Sequence, residues 1–295
     1  MKKILYTLLG MMLSVGAWAQ TLQEQINSAA DGATITLTED VNLTSQVEIT
    51  GKSIILDLNG RTISYSGSAL SSGIILVHNG AGLTINATNG GSINSGIAMA
   101  AIALTKKGDD STNPAKLIVN GGTITGGNYG ITGNGSRPNT DITINGGTIT
   151  ATVANDNFGI YHPQDGKLTI TGGTITAYSA AIEMRAGTLN ISGGTFTATA
   201  TEYSCNPNGS GTTTVGAAIA IAQHTTKKDI NVTISGGTFT GVKAINESNP
   251  QANDPAPQVS MSITNGTFNG EISTVDVQNF VSGGTFNAPV PEGYC

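Results

Sequence analysis

Apolar residues alternate with threonine, serine or asparagine over short runs along most of this chain. In Leu168-Thr169-Ile170-Thr171 and again in Thr174-Ile175-Thr176 the period is two, which marks a strand with one buried face. The same runs return in a fixed order. A first strand reads L-x-I, as in Leu117-Ile118-Val119, Ile142-Thr143-Ile144 and Leu189-Asn190-Ile191. A Gly-Gly corner follows, where glycine supplies backbone angles that other residues resist. A second strand then reads T-I/F-T, from Thr123-Ile124-Thr125 to Thr238-Phe239-Thr240, and a third opens with a small residue before isoleucine, as in Gly159-Ile160 and Ala181-Ile182.

The corner marker recurs at Gly90, Gly121, Gly146, Gly172, Gly193, Gly236, Asn265 and Gly283, at spacings of 18 to 43 residues. A fixed unit separated by loops of variable length predicts a solenoid. No strand of this length folds alone, whereas stacked coils pair each strand with its equivalent ~4.8 Å above and below and merge the inward side chains into one core. The expected fold is therefore all-β, a single parallel β-helix of about ten coils over residues 33–295, forming a rod roughly 45–50 Å long at that strand spacing. All nine prolines fall between the repeated strands or after the last, as a residue without a ladder donor requires. An antiparallel sandwich is the competing fold, but the unit is a corner at a regular period rather than a hairpin. One helical pattern occurs: Thr21-Leu22-Gln23-Glu24 is a capping box, and Leu22, Ile26 and Ala29 share one face. This segment, within residues 20–32, is expected to cap the first coil.

Composition changes the picture mainly at the N-terminus. Met1–Ala19 carries two lysines, an apolar run from Ile4 to Val15, and Ala17-Trp18-Ala19, the layout of a secretory signal peptide. An exported protein is expected: extracellular, cell-surface or periplasmic. Removing the segment takes Lys2 and Lys3 and no acid, moving the formal net charge from −6 to −8. That charge disfavours nucleic acid and anionic membranes as partners, and no later apolar run approaches the ~20 residues of a spanning helix, so no membrane insertion is expected.

Taken together, TLQEQINSAADGATITLTEDVNL, VEITGKSIILDLNGRTIS and the serial ISGGTFT coils resemble the right-handed parallel β-helix proteins of the pectin-lyase-like superfamily. The chain is most similar within it to exported bacterial Gly-Gly-Thr-Phe repeat proteins. The resemblance covers Thr21 to Pro291 and implies the fold. It does not select a function, because the superfamily includes polysaccharide lyases, glycoside hydrolases, adhesins and tailspikes.

Loops lengthen before and after the third strand, so its outer face should form a trough between two walls, where binding on rigid scaffolds usually sits. With Ile131, Ile160, Ile182, Ile219 and Ile245 inward, alternation points Thr132, Tyr161, Glu183, Arg185, Ala220 and Asn246 into that trough. Tyr161, Glu183, Arg185, Thr132 and Asn246 are the expected binding residues. Glu183 and Arg185 are the only catalytic candidates for a lyase or glycoside hydrolase, with Asp156, Asp165 and Glu247 at the loop edges. Such hydrolases need two carboxylates across the scissile bond, and a lyase needs a base with cationic or calcium-held neutralisation. One carboxylate is in place, so a non-catalytic, adhesin-like binding or structural module that meets glycans is expected, with no cofactor unless calcium serves a lyase.

Other features add less. His78, His162 and His224 fall on separate coils without ligand spacing, so no metal site is expected. Lys106, Lys107, Asp109 and Asp110 read as a solvated loop. Cys205 and Cys295 lie about three coils apart, beyond disulfide reach, and are expected unpaired within the chain. The second strand keeps T-x-T through five coils, which resembles the threonine rows of ice-binding solenoids, although threonine also simply suits an exposed strand. Nothing like the N-terminal cap follows Phe286, so a partner, a copy of the chain or further residues are expected to cover the last coil.

Overall fold

A computed structural model describes residues 20–153, 157–207, 214–254, 256 and 258–290. Residues 1–19, read above as a signal peptide, Asp156, Cys295 and the prolines at 255, 257 and 291 lie outside them. The expected architecture is found: nine complete coils and part of a tenth form a parallel β-helix. First strands build one nine-stranded parallel sheet, from Ala33–Thr36 through Ala115–Val119, Gly166–Ile170 and Gly187–Ile191 to Val259–Ile263. Second and third strands share a larger sheet, because Thr238–Ser248 and Thr267–Ser273 run round the corner between them without a break. Every described proline lies outside a strand.

The repeat works by stacking like on like. Ile63, Ile93, Ile124, Ile149, Ile175, Phe196, Phe239, Phe268 and Phe286 are successive partners along the second strands. Ile75, Ile102, Ile131, Ile160, Ile182, Ile219, Ile245 and Ile272 do the same along the third. Nearly all are fully buried, each worth ~1.5–3 kcal/mol of hydrophobic stabilisation relative to exposure. In the last coils, ring centroids of Phe196, Phe239, Phe268 and Phe286 follow one another at 4.9 Å with interplanar angles of 6° to 9°. The strand spacing sets that distance, and it falls in the favourable range for stacked aromatics.

The corner explains why glycine is doubled. At Gly194 the backbone adopts φ +105°, and a Cβ there would also come within 3.2 Å of Phe196 Cζ. At Gly193 the torsion is ordinary, but a Cβ would sit 2.5 Å from the Thr171 carbonyl oxygen of the coil below. The first glycine therefore permits close stacking and the second permits the turn. Side chains beside the corner form their own ladder: Asn120 Nδ2 donates to Asn86 Oδ1 (2.8 Å), and Asn145 Nδ2 donates to Asn120 Oδ1 (2.9 Å).

The helix Leu22–Ser28 closes the first coil as expected, with both arms of the capping box formed and Leu22 and Ile26 buried. Its seal is polar as well. The Gln23 amide donates to the Glu48 carbonyl (3.0 Å) and accepts from the Glu48 N–H (2.8 Å), imitating the strand that a further coil would supply. Lys52 Nζ donates to the carbonyls of Ile26, Asn27 and Ala29, satisfying the acceptors that a helix C-terminus leaves open. At the other end the tenth coil contributes the bridge Ile263–Val281 and the strand Thr285–Phe286.

Candidate functional site

The outer row of the third strand runs in register through Glu48, Leu76, Ala103, Thr132, Tyr161, Glu183, Ala220, Asn246 and Ser273. Tyr161 and Glu183 are neighbours, as the alternation requires. The expectation of an open trough fails over coils five to eight, however. Asn246 is 2% exposed, and Glu183, Arg185 and Ala220 are at 0%. The side chains do point away from the main core, but other protein covers them.

Part of the cover is the described portion of an insertion, residues 199–207 and 214–216. Ser204–Cys205 and Thr214–Val215 pair antiparallel, and the insertion is tied to the eighth coil by Tyr203 Oη donating to Asn246 Oδ1 (2.9 Å) and by Cys205 Sγ at 3.5 Å from Ser248 Oγ. Lys243 Nζ lies 4.4 Å from the Tyr203 ring centroid, and burial raises the Tyr203 hydroxyl to a pKa of about 12. Phe158, Ala180, Ala217 and Ala220 form a second, small core on this outer face, flanked by Tyr129 and Tyr161.

Inside this closed half, Arg185 Nε donates to Glu183 Oε1 at 2.6 Å, with neither side chain exposed. Two residues apart on one strand, they lie on the same face. A buried pair of this kind is costly to desolvate and costlier to break. Tyr161 is not an open stacking platform. Its ring stacks on Tyr129 at 5.3 Å, and the Arg185 guanidinium lies 5.8 Å from its centroid; burial, opposed by the Arg185 charge, raises its hydroxyl pKa. The residues expected to meet a ligand thus mostly meet one another.

Two buried polar clusters fill the corners after the third strand. In one, Thr140 Oγ1 lies 3.2 Å from His162 Nε2, and His162 Nδ1 lies 3.3 Å from the Ala186 carbonyl. A carbonyl only accepts, so Nδ1 carries the proton and Nε2 accepts from the Thr140 hydroxyl. Complete burial holds His162 neutral, with its pKa lowered to about 4. In the other, the Gln223 amide donates to Glu247 (2.9 Å) and to Asp276, while Glu247 Oε2 accepts from the Val275 and Asp276 N–H groups. Glu247, expected at a loop edge, is 1% exposed and fastens the next coil's loop.

An open groove lies over coils two to four. Leu76, Ala103 and Thr132 form its floor, Gln46, Ser71 and Ser72 one wall, and Thr105, Lys106, Asn134 and Arg137 the other, around a cavity of about 250 Å³. The second wall is built rather than loosely solvated. His78 bridges Glu48 (3.2 Å) and Asp109 (3.1 Å), and Lys106 Nζ reaches Glu48 at 3.2 Å. Asp109 also accepts the Lys106 and Asn79 N–H groups. Burial raises the pKa of Asp109, but these hydrogen bonds and His78 outweigh it and the net shift is downward. Lys106, Lys107 and Asp110 are exposed, in line with the expected solvated loop, and Asp109 is the member of it drawn into the wall. A trough here, with Thr132 in it, was expected; which polar residues wall it was not, because they lie in non-repeating loops. Its one available signal is Arg137, one of only three arginines in the chain.

Among the described residues no group of three His, Cys, Asp or Glu side chains is placed to hold a metal ion, and no helix is long and apolar enough to cross a membrane. Among the described residues Cys205 has no disulfide partner. No protein-family model, curated protein or solved structure matches the chain.

Proposed function

We propose that this chain is an exported, non-catalytic β-helix, an adhesin-like module whose rigid outer face contacts glycans. The observation that carries the reading is the Glu183–Arg185 pair. The strongest catalytic candidates of the outer face are spent on each other under protein cover, where no polymer reaches them. A stiff rod with varied loops beside one strand face suits display and binding, and the N-terminal leader composition supports export. Incubating the purified protein with uronic-acid and neutral polysaccharides should yield neither unsaturated product absorbing near 235 nm nor new reducing ends, while a glycan array should retain it. Turnover abolished by Glu183→Gln would overturn the non-catalytic reading.

A second reading has one observation in its favour. Thr123, Thr148, Thr174, Thr195, Thr238 and Thr267 are register partners on consecutive coils, with Thr125, Thr150, Thr176, Thr197 and Thr240 beside them. The first row is largely exposed and the second half-buried. This regular hydroxyl lattice fits an ordered surface such as ice. Thermal hysteresis at millimolar protein is the expected signature, and its absence would dismiss the reading.

A further inference from the structure

We infer that the groove over coils two to four is a subsite for an acidic sugar, in which Arg137 takes the ligand's compact anionic group and the hydroxyl-lined walls take its ring. The inference rests on the glycan-binding reading and gives it a place and a charge. Three independent features converge there. Arg137 lines the groove and donates from Nη1 to the Thr105 carbonyl at 3.2 Å, and among the described residues it has no carboxylate within ion-pair distance. Its planar fork, held by that carbonyl, keeps N–H groups for a second planar or tetrahedral oxyanion. Glu48 and Asp109, the nearby acids, are already engaged by Lys106 and His78.

The second feature is Thr105. It is 4% exposed, yet its hydroxyl has no partner, a deficit that a buried polar group seldom carries without a reason. The third is its backbone, at φ +69°. For a β-branched residue this is a strained conformation that persists only when its surroundings impose it. Here the imposition is visible: the Thr105 N–H donates to the Val77 carbonyl (2.8 Å), the next N–H, of Lys106, donates to Asp109 (2.6 Å), and His78 holds Asp109 in turn. Strain, an unspent hydroxyl and an arginine fork therefore meet at one cavity. Its volume lies just under the usual range of ~300–1,000 Å³ for small-molecule sites, which suits a single sugar ring rather than a long polymer segment.

Nitrogen–proton correlation spectra of the full mature chain provide the test, titrated separately with the methyl glycosides of glucuronic acid, of a sulfated glucose and of glucose. The expected result is movement of the Arg137 Nε–H and the Thr105 and Thr132 amides with an acidic sugar, at about tenfold or greater preference over glucose. That response should fall about tenfold or more in Arg137→Gln and only partly recover in Arg137→Lys, which keeps the charge but not the fork. The carboxylate and sulfate arms identify which oxyanion the fork accepts. Equal response to glucose, or acidic-sugar shifts that persist unchanged in a folded Arg137→Gln variant, would overturn the subsite while leaving glycan binding elsewhere intact. No shift with any sugar, together with an empty glycan array, would overturn the glycan reading itself.

Discussion

The outer face of the third strand is one continuous row of side chains with two different fates. On coils five to eight it is roofed, and its polar groups are paired within: Arg185 with Glu183 as an ion pair, Tyr203 with Asn246 as a hydrogen bond. On coils two to four the same row, at Leu76, Ala103 and Thr132, floors an open groove whose wall carries Arg137 and the strained Thr105. The scaffold is identical beneath both, so the coil does not decide which half binds. The loops decide, by closing over the face in one place and standing back in the other.

Breaking the closed half should cost most. Arg185→Leu leaves the Glu183 carboxylate buried without its partner and is expected to remove about 3–5 kcal/mol, whereas Glu183→Leu with Arg185→Leu together should cost much less. Urea unfolding of the three proteins checks this, and equal losses in single and double variants would show that the pair does not act as a unit. The buried histidine beneath this half comes next. Its folded pKa, about 4, lies below the ordinary 6.5, so below 6.5 the unfolded chain takes up the proton that the folded chain refuses. Its stabilisation is complete above pH 6.5 and lost as pH falls toward 4, by about 2–3 kcal/mol between pH 7 and 4.5. Denaturation midpoints should therefore fall less steeply over that window in His162→Gln than in the parent protein.

Loosening the roof is a smaller perturbation. Tyr203→Phe removes one hydrogen bond and should cost about 1 kcal/mol, with faster amide exchange at residues 243–248 and little change at residues 73–78. The open half should respond least. Arg137→Gln touches no paired carboxylate and is expected to alter stability by within about 0.5 kcal/mol while weakening acidic-sugar binding about tenfold or more. A large loss of stability there would recast Arg137 as a structural residue and erase the contrast between the halves.

What could be read along the chain was whatever the coil repeats. Strand order, the in-and-out alternation, the continuous columns at Ile124, Ile149 and Ile175, the double-glycine corner and the capping helix all follow from local pattern, because each coil meets a near copy of itself and one unit predicts its neighbour's contacts. The outward direction of Glu183, Arg185 and Asn246 was legible for the same reason. Their burial was not, since it depends on where the insertion folds and on Tyr203 reaching Asn246, 43 residues away in sequence. The wall of the groove was equally hidden: Glu48, His78, Lys106, Asp109 and Arg137 come from four coils and share no repeating spacing. Sequence determines the rod through short-range repetition, whereas tertiary structure alone decides which part of its surface stays open, because loops without a period find their partners only once the rod exists.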